Sequence, residues 1–205
     1  MARNEADNYP TPQALADLGW RIAANHLVAV AADKTISVCE PGCGDAQPFL
    51  VAAARDPRVR IPQGCDLRAV TAAHPRFAVD AGTDWTARGM AEMDGGPWDV
   101  ILTNPPFSAA EAFARAALRR VAPGGVVVFL TRMSFLGSQG RRAFWAEHPP
   151  TEVCVIRPRP SFSPDGNTDT AEYCFLVWRP SAAAQRISFC DWAKPKRGRV
   201  APREE

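Results

Sequence analysis

Two short segments hold residue types able to do chemistry. The first, Glu40-Pro41-Gly42-Cys43-Gly44-Asp45, follows a β-rich run and precedes Phe49 and Leu50 at the start of a helical stretch. Gly42 and Gly44 let the backbone approach a ligand where a side chain would collide. A dinucleotide fingerprint needs a third glycine at the position held by Gln47, so a pyrophosphate cofactor is disfavoured. Glu40 and Asp45 bracket the turn, and an acidic turn repels phosphate but attracts a cation such as an ammonium or sulfonium group. Asp66, with Leu67 beside it, ends the next β-rich run about twenty residues after the glycines, where a ribose diol is commonly held. A positively charged nucleoside fits these residues better than a nicotinamide dinucleotide. A tight β-to-α turn with no ligand is the plain alternative.

The second segment runs from Trp98 to Thr103 and ends in Asn104-Pro105-Pro106-Phe107. Two consecutive prolines lock φ and lack N–H donors, so they end a strand and leave nearby carbonyls to accept hydrogen bonds. The turn they make is rigid and rich in acceptors, and Phe107 adds an aromatic face for stacking. A capped strand with a Pro-Pro turn is the alternative here.

The elements that must position these segments alternate along the chain. Apolar spacing by three or four predicts a helix between Thr11 and Val30, with Thr11 as N-cap and Pro12 at the first turn. Strands are expected at 35–39, 59–65, 77–79, 100–103 and 126–131, and helices at 49–55, 109–121 and 139–147. Such alternation implies right-handed crossovers. The last two expected strands, 152–157 and 172–178, have only a loop between them. The expectation is an α/β, doubly wound, mainly parallel seven-stranded sheet with a C-terminal antiparallel hairpin. It forms a single domain over residues 1–192, followed by a basic tail, 193–205, expected to be disordered.

Composition narrows the class. The chain has 205 residues, 46% hydrophobic and 22% charged, as expected of one globular domain. Its apolar runs, such as Leu27–Ala32 and Val126–Leu130, are far below the ~20 residues that span a bilayer, and the polar N-terminus carries no apolar signal core. A cytoplasmic protein without membrane residence is expected. The six cysteines include no C-x-x-C pair and the three histidines lie far apart, so reduced thiols and no metal site are expected. Residues 1–118 carry 10 Lys and Arg against 14 Asp and Glu, whereas residues 119–200 carry 13 against 6. Of the 24 basic residues 21 are arginine, which suits bidentate phosphate contacts, although GC-rich coding gives the same bias.

Together these motifs resemble the class I S-adenosylmethionine-dependent methyltransferases, and within them the small gamma-type and phage-type DNA adenine-N6 methyltransferases. The resemblance rests on Glu40-Pro41, Phe49-Leu50 and Asn104-Pro105-Pro106-Phe107, and it extends to Tyr9-Pro10-Thr11-Pro12 and Asp84-Trp85. It implies S-adenosyl-L-methionine as cofactor, held by Tyr9, Thr11, Pro12, Glu40 to Gly44, Asp66, Leu67, Asp84, Trp85 and Asn104. Asp80 competes with Asp84 for the adenine of the cofactor, and Tyr9 and Trp85 are equally suited to core packing. An aromatic amino group is a poor nucleophile. Acceptors at Asn104 Oδ1 and the Pro105 carbonyl would hold its two N–H bonds and favour a pyramidal nitrogen, with Phe107 stacking on a flipped base. Arg159-Pro160-Ser161-Phe162 and the 165–169 loop resemble a segment closing over that base, and Arg132, Arg141 and Arg142 are phosphate-contact candidates or solvated charges. DNA is the implied partner, with RNA possible. The large recognition domain of restriction-associated relatives is not expected here, so either recognition is slight, read by Arg132, Arg141, Arg142 and the loop after Arg157, or a separate partner provides it, and the resemblance leans toward a phage setting. The same turn serves RNA adenine and protein glutamine methyltransferases, and a noncatalytic cofactor-binding module is the further alternative.

Overall fold

The structure is a computed structural model, and it describes residues 10–27, 34–87, 96–162, 168, 170–180 and 185–192. In chain order the elements are α1 (Gln13–His26), β1 (Val38–Pro41), α2 (Pro48–Ala53), β2 (Gln63–Asp66), β3 (Ala78–Ala81) and β4 (Trp98–Thr103). They continue with α3 (Ala110–Arg120), β5 (Val121–Arg132), α4 (Arg142–Glu147), β6 (Glu152–Arg157), β7 (Tyr173–Trp178) and β8 (Arg186–Asp191). One sheet contains all eight strands in the order β3-β2-β1-β4-β5-β7-β6-β8.

The expected α/β architecture is present, with one correction: the sheet has eight strands rather than seven. β6 and β7 form the anticipated antiparallel pair, but β7 inserts between β5 and β6 and is antiparallel to both. β8 then pairs parallel to β6 at the edge. Its sequence, Arg-Ile-Ser-Phe-Cys-Asp, alternates as a strand should, yet its large apolar residues face outward, with Ile187 74% and Phe189 61% exposed.

Alternation within the central strands divides the core. Val100, Leu102, Val126, Val128 and Phe175 join Leu15, Ala16 and Ala23 of α1 on one face. Ile101, Val127, Phe129, Leu176 and Trp178 meet Phe113, Ala117 and Phe144 of α3 and α4 on the other. β4 and β7 are buried throughout, as strands covered on both faces must be. Gly19 lets α1 settle closely: a Cβ there would lie 3.0 Å from both Phe175 Cε1 and Phe49 Cε1.

A polar network ties the end of α1 to the far edge of the sheet. Glu152 Oε2 lies 2.8 Å from His26 Nε2 and accepts from Arg186 Nη2 at 2.6 Å, and the Ser188 hydroxyl donates to Oε1. Burial opposes charge on Glu152, but Arg186, Ser188 and His26 together hold its carboxyl below the usual range. Burial also holds His26 below the ordinary imidazole value, against the pull of Glu152. A depressed carboxylate stabilises the fold above its unfolded pKa, and this contribution is lost as pH falls through the folded value. Glu152→Ala is expected to lower urea stability by about 2–3 kcal/mol near neutral pH, with the difference shrinking in acid; equal midpoints for the two proteins at neutral pH would contradict this.

Candidate active site

The strand order reverses between β1 and β4, which are parallel neighbours, Val38 pairing with Val100 and Cys39 with Ile101. Ligands of open α/β sheets bind outside the carboxyl ends of the strands at such a reversal. Both candidate segments leave the sheet here. The Thr103 hydroxyl donates to the Pro41 carbonyl at 2.6 Å, joining the last residue of β4 to the last residue of β1. Immediately beyond, Asn104 Nδ2 donates to Thr11 Oγ1 at 3.1 Å. That bond sets which way the amide faces: its nitrogen is committed to Thr11, and Oδ1 lies on the opposite side of the carboxamide.

The two turns open into one cleft of about 590 Å³. Its walls include Gly42 to Asp45 from the first turn, Asn104 and Pro106 from the second, Asp66 at the end of β2, and Thr11 and Asp84 from neighbouring loops. Gly42 and Gly44 have φ of 65° and 61°, in the left-handed region that favours glycine. A Cβ on Gly42 would stand 3.3 Å from Phe113 Cε1, within the cleft wall. The turn hangs on β2, because Gly42 N and Cys43 N both donate to the Cys65 carbonyl, at 2.7 and 3.1 Å. Asp66 holds it from the side, where Oδ2 accepts from Gly44 N at 2.9 Å.

The acids divide between structure and surface. Glu40 is buried in β1, and its carboxylate reaches the first turn of α2, where Oε2 accepts from Leu50 N at 2.9 Å. Burial pushes its carboxyl well above the usual range, against the Leu50 and Phe49 N–H groups that favour the charged form. Asp45 is exposed and lies 3.4 Å from Arg68 Nη1, while Arg68 Nε lies 3.2 Å from Asp66 Oδ1. Arg68 thus offsets part of the negative field expected of the turn. Asp84 rather than Asp80 lines the cleft, and the Thr86 hydroxyl and N–H hold its carboxyl below the usual range.

Other expected residues are distributed unevenly. Leu67 is 71% exposed at the cleft, an apolar surface facing solvent. Trp85 also lines the cleft but is only 2% exposed; its ring packs on Trp98 at 5.9 Å and lies under the Arg120 guanidinium at 4.6 Å. Pro12 is the N-cap of α1 rather than its first residue. Pro41 offers its carbonyl to Thr103, and Pro105 is buried. Phe107 is half-buried, with the Arg132 guanidinium 4.6 Å from its ring centre and Tyr173 6.2 Å away. Phe162 packs on the same tyrosine at 4.9 Å, so it joins the Phe107 cluster, whereas Arg159 pairs with Glu172 at 2.8 Å. Tyr9, most of the 165–169 loop and the 193–205 tail lie outside the described residues.

Three positioning residues escape motif reading. Gln47, where a fingerprint glycine was weighed, adopts φ 48° and is fully buried. Its side chain donates to Thr71 O at 2.5 Å and accepts from Ala73 N at 2.8 Å, clamping the loop after β2. Thr103 and Arg68 are the others. A hydroxyl residue ending the strand before Asn104 and a guanidinium two residues past Asp66 were visible signals, but neither carries an identity without the sheet order.

No protein-family model matches the sequence and no curated protein matches it. Solved structures do match in fold. A candidate class I S-adenosylmethionine-dependent methyltransferase from Listeria monocytogenes superposes at TM-score 0.63 and 14% identity, over 93% of this chain and 68% of that one. The methyltransferase subunit of a type I restriction-modification system from Streptococcus thermophilus gives 0.67 and 15% identity, over 91% of this chain and 48% of its own; this chain spans about half that subunit. An rRNA methyltransferase from Streptomyces viridochromogenes gives 0.53 and 12%, over 86% and 89%. At these identities the likeness is one of fold, the Rossmann-like sheet of class I methyltransferases.

The left-handed glycine at the head of the cleft gives a direct check. Gly42→Ala is expected to lower stability by about 1–2 kcal/mol from backbone strain alone, read as a shifted denaturation midpoint, whereas Ala substitution at exposed Asp45 leaves the midpoint in place. Equal midpoints for Gly42→Ala and wild type would contradict the geometry.

Proposed function

We propose that this chain is an S-adenosylmethionine-dependent methyltransferase whose acceptor is the 6-amino group of adenine in DNA. The observation carrying the proposal is that Asn104 and the Gly42–Gly44 turn share one cleft at the sheet's reversal, tied together by Thr103 and Pro41. The class I methyltransferase fold of the matching structures supports it. So does the residue chemistry of the cleft, which fits the cofactor. Its volume of about 590 Å³ lies in the range of nucleoside-sized sites. Gly42 forms a cradle that a Cβ would begin to fill, and acids line the walls.

In this reading Asp66 and Asp84 hold the nucleoside part of the cofactor, with Leu67 and the edge of Trp85 against its base. Gly42 to Gly44 with Thr11, and Tyr9 and Pro12 by resemblance, hold the methionine part. Bound S-adenosylmethionine supplies a methyl group on a cationic sulfur, an electrophile. The chain's own task is to make a delocalised amine nucleophilic. Asn104 Oδ1 and the Pro105 carbonyl accept the two N–H bonds, which draws the nitrogen toward pyramidal geometry and directs its lone pair into the shared cleft. Pro105 and Pro106 fix that turn, while Phe107 stacks on the base, supported by Arg132, Phe162 and Tyr173. Nitrogen loses its proton to water after transfer, so no dedicated base is needed.

An RNA acceptor is the second reading, favoured by the rRNA methyltransferase of nearly matching extent. A specificity partner is proposed by analogy with the restriction-modification subunit, itself part of a system.

Transfer of labelled methyl to duplex DNA, single-stranded DNA, RNA and a protein extract, followed by nucleoside digestion, identifies the acceptor. Label in N6-methyladenine from DNA is expected, and label confined to protein would overturn the nucleic-acid reading. Asn104→Ala is expected to lower turnover on the order of 10²-fold, with a much smaller change in cofactor affinity; near-normal turnover refutes its role. The raised Glu40 carboxyl predicts a pH effect as well. A bound cation favours the ionised form, so cofactor binding releases protons and affinity rises with pH above the ordinary glutamate range. Calorimetry in buffers of different ionisation enthalpy reads this release, which Glu40→Gln abolishes; equal proton release by the variant contradicts the assignment.

A further inference from the structure

Beside the Phe107 turn lies a second, much smaller cleft of about 110 Å³, lined by Phe107, Ala110, Thr131, Arg132, Ser134, Phe135 and Arg141. It adjoins the large cleft along the Asn104–Ala110 segment, where Pro106 and Ala109 line one and Phe107 and Ala110 the other. Sites for nucleoside-sized ligands usually occupy roughly 300–1,000 Å³. At about 110 Å³ this cleft suits a single small group.

Its chemistry says which group. Two arginines line it, and each guanidinium lies over an aromatic ring: Arg132 Cζ is 4.6 Å from the centre of Phe107 and Arg141 Cζ is 4.5 Å from that of Phe135. Stacking of this kind orders a long side chain, and Arg132 is held further by its Nε, which donates to the Tyr173 hydroxyl at 3.3 Å. The Ser134 hydroxyl adds a neutral donor to the same walls. No acid is among the described residues lining the cleft. Some arginines elsewhere are matched to carboxylates, as Arg115 is to Glu111 and Glu147, and others, such as Arg76 and Arg120, donate to backbone carbonyls. Arg141 stacks on the Phe135 ring and forms no ion pair among the described residues. Two preordered guanidiniums and a hydroxyl around a space fit for one small anion are complementary to a tetrahedral oxyanion.

We propose that the Arg132–Ser134–Arg141 cleft binds a backbone phosphodiester of a polynucleotide strand, next to the nucleotide whose base stacks on Phe107. This deepens the reading under Proposed function and rests on it for the identity of Phe107 as the stacking face. It makes the preferred substrate a strand rather than a free nucleoside or a glutamine side chain, because the anchor engages the phosphate linking neighbouring residues. Phosphate contacts position and base contacts specify, so the clamp fixes the register of the strand without reading sequence.

The test uses the full chain and a fluorescein-labelled 20-mer, single-stranded and duplex, with affinity followed by anisotropy across a salt series. Arg141→Ala is expected to weaken binding on the order of ten-fold, and to reduce the slope of log affinity against log salt by about 1. Arg119→Ala removes the same charge at the exposed end of α3 and is expected to change affinity far less. Circular dichroism melting confirms that each variant is folded, and Arg141→Lys, which keeps the charge without the planar fork, is expected to fall between wild type and alanine. Equal losses for Arg119→Ala and Arg141→Ala would reduce the effect to net charge and overturn the clamp, as would no loss for Arg141→Ala or no binding by the wild type. Binding that depends on Arg141, with no methyl transferred to any nucleic acid, supports the clamp while overturning the methyltransferase reading. Methyl transfer to DNA with unaltered binding by Arg141→Ala does the reverse.

Discussion

The site depends on two adjacent parallel strands whose connections leave in opposite directions. From β1 the chain moves outward to β2 and β3, and from β4 it moves outward to β5, so no connection covers the ends of this central pair. Two chain reversals must therefore stand side by side. Their separation is set by the Thr103 hydroxyl on the Pro41 carbonyl at 2.6 Å, and the Asn104 amide is oriented by Thr11 at the mouth of α1. A ligand over the glycine turn and a ligand over the Asn-Pro-Pro turn are neighbours by construction.

Much of the remaining structure serves that junction. The buried Val126–Leu130 run of β5 and the buried β7 give the sheet a core on both faces, so the strand ends cannot drift apart without exposing apolar surface. Phe113 of α3 closes the cleft beneath Gly42 and accepts the Trp85 indole N–H at its carbonyl, 3.3 Å away. Gln47 fixes the loop after β2, and Asp66 fixes the glycine turn from the same side. These contacts leave few soft degrees of freedom around the space the two turns share.

The sequence made the architecture legible where pattern and local chemistry agree. Alternating strands and helices gave the sheet, the Pro-Pro pair marked the end of β4, and Gly42 and Gly44 marked a turn that does adopt left-handed backbone. The limits have a common cause: side-chain direction is decided by partners distant in the chain. β8 went unread because its apolar residues point outward and its polar Ser188 turns toward buried Glu152. Trp85 suits cofactor binding and core packing equally by its type, and only the contacts of its ring with Trp98 and Arg120 show that its faces are covered. The cationic preference of the turn was overstated because Arg68 reaches both Asp45 and Asp66, a contact that only the pairing of β1 with β2 creates. Gln47 argued correctly against a third glycine, but its left-handed backbone and double clamp had no local signature.

The central claim is spatial: one cleft holds the methyl donor and the acceptor amine against opposite walls. A crystal structure of the protein with S-adenosylhomocysteine tests it most directly. The account predicts the adenosine beside Asp66 and Leu67, the amino-acid end over Gly42 to Gly44, and the thioether sulfur facing Asn104 across the cleft. Binding at another surface, or a sulfur turned away from Asn104 toward the α2 side of the glycine turn, would contradict it.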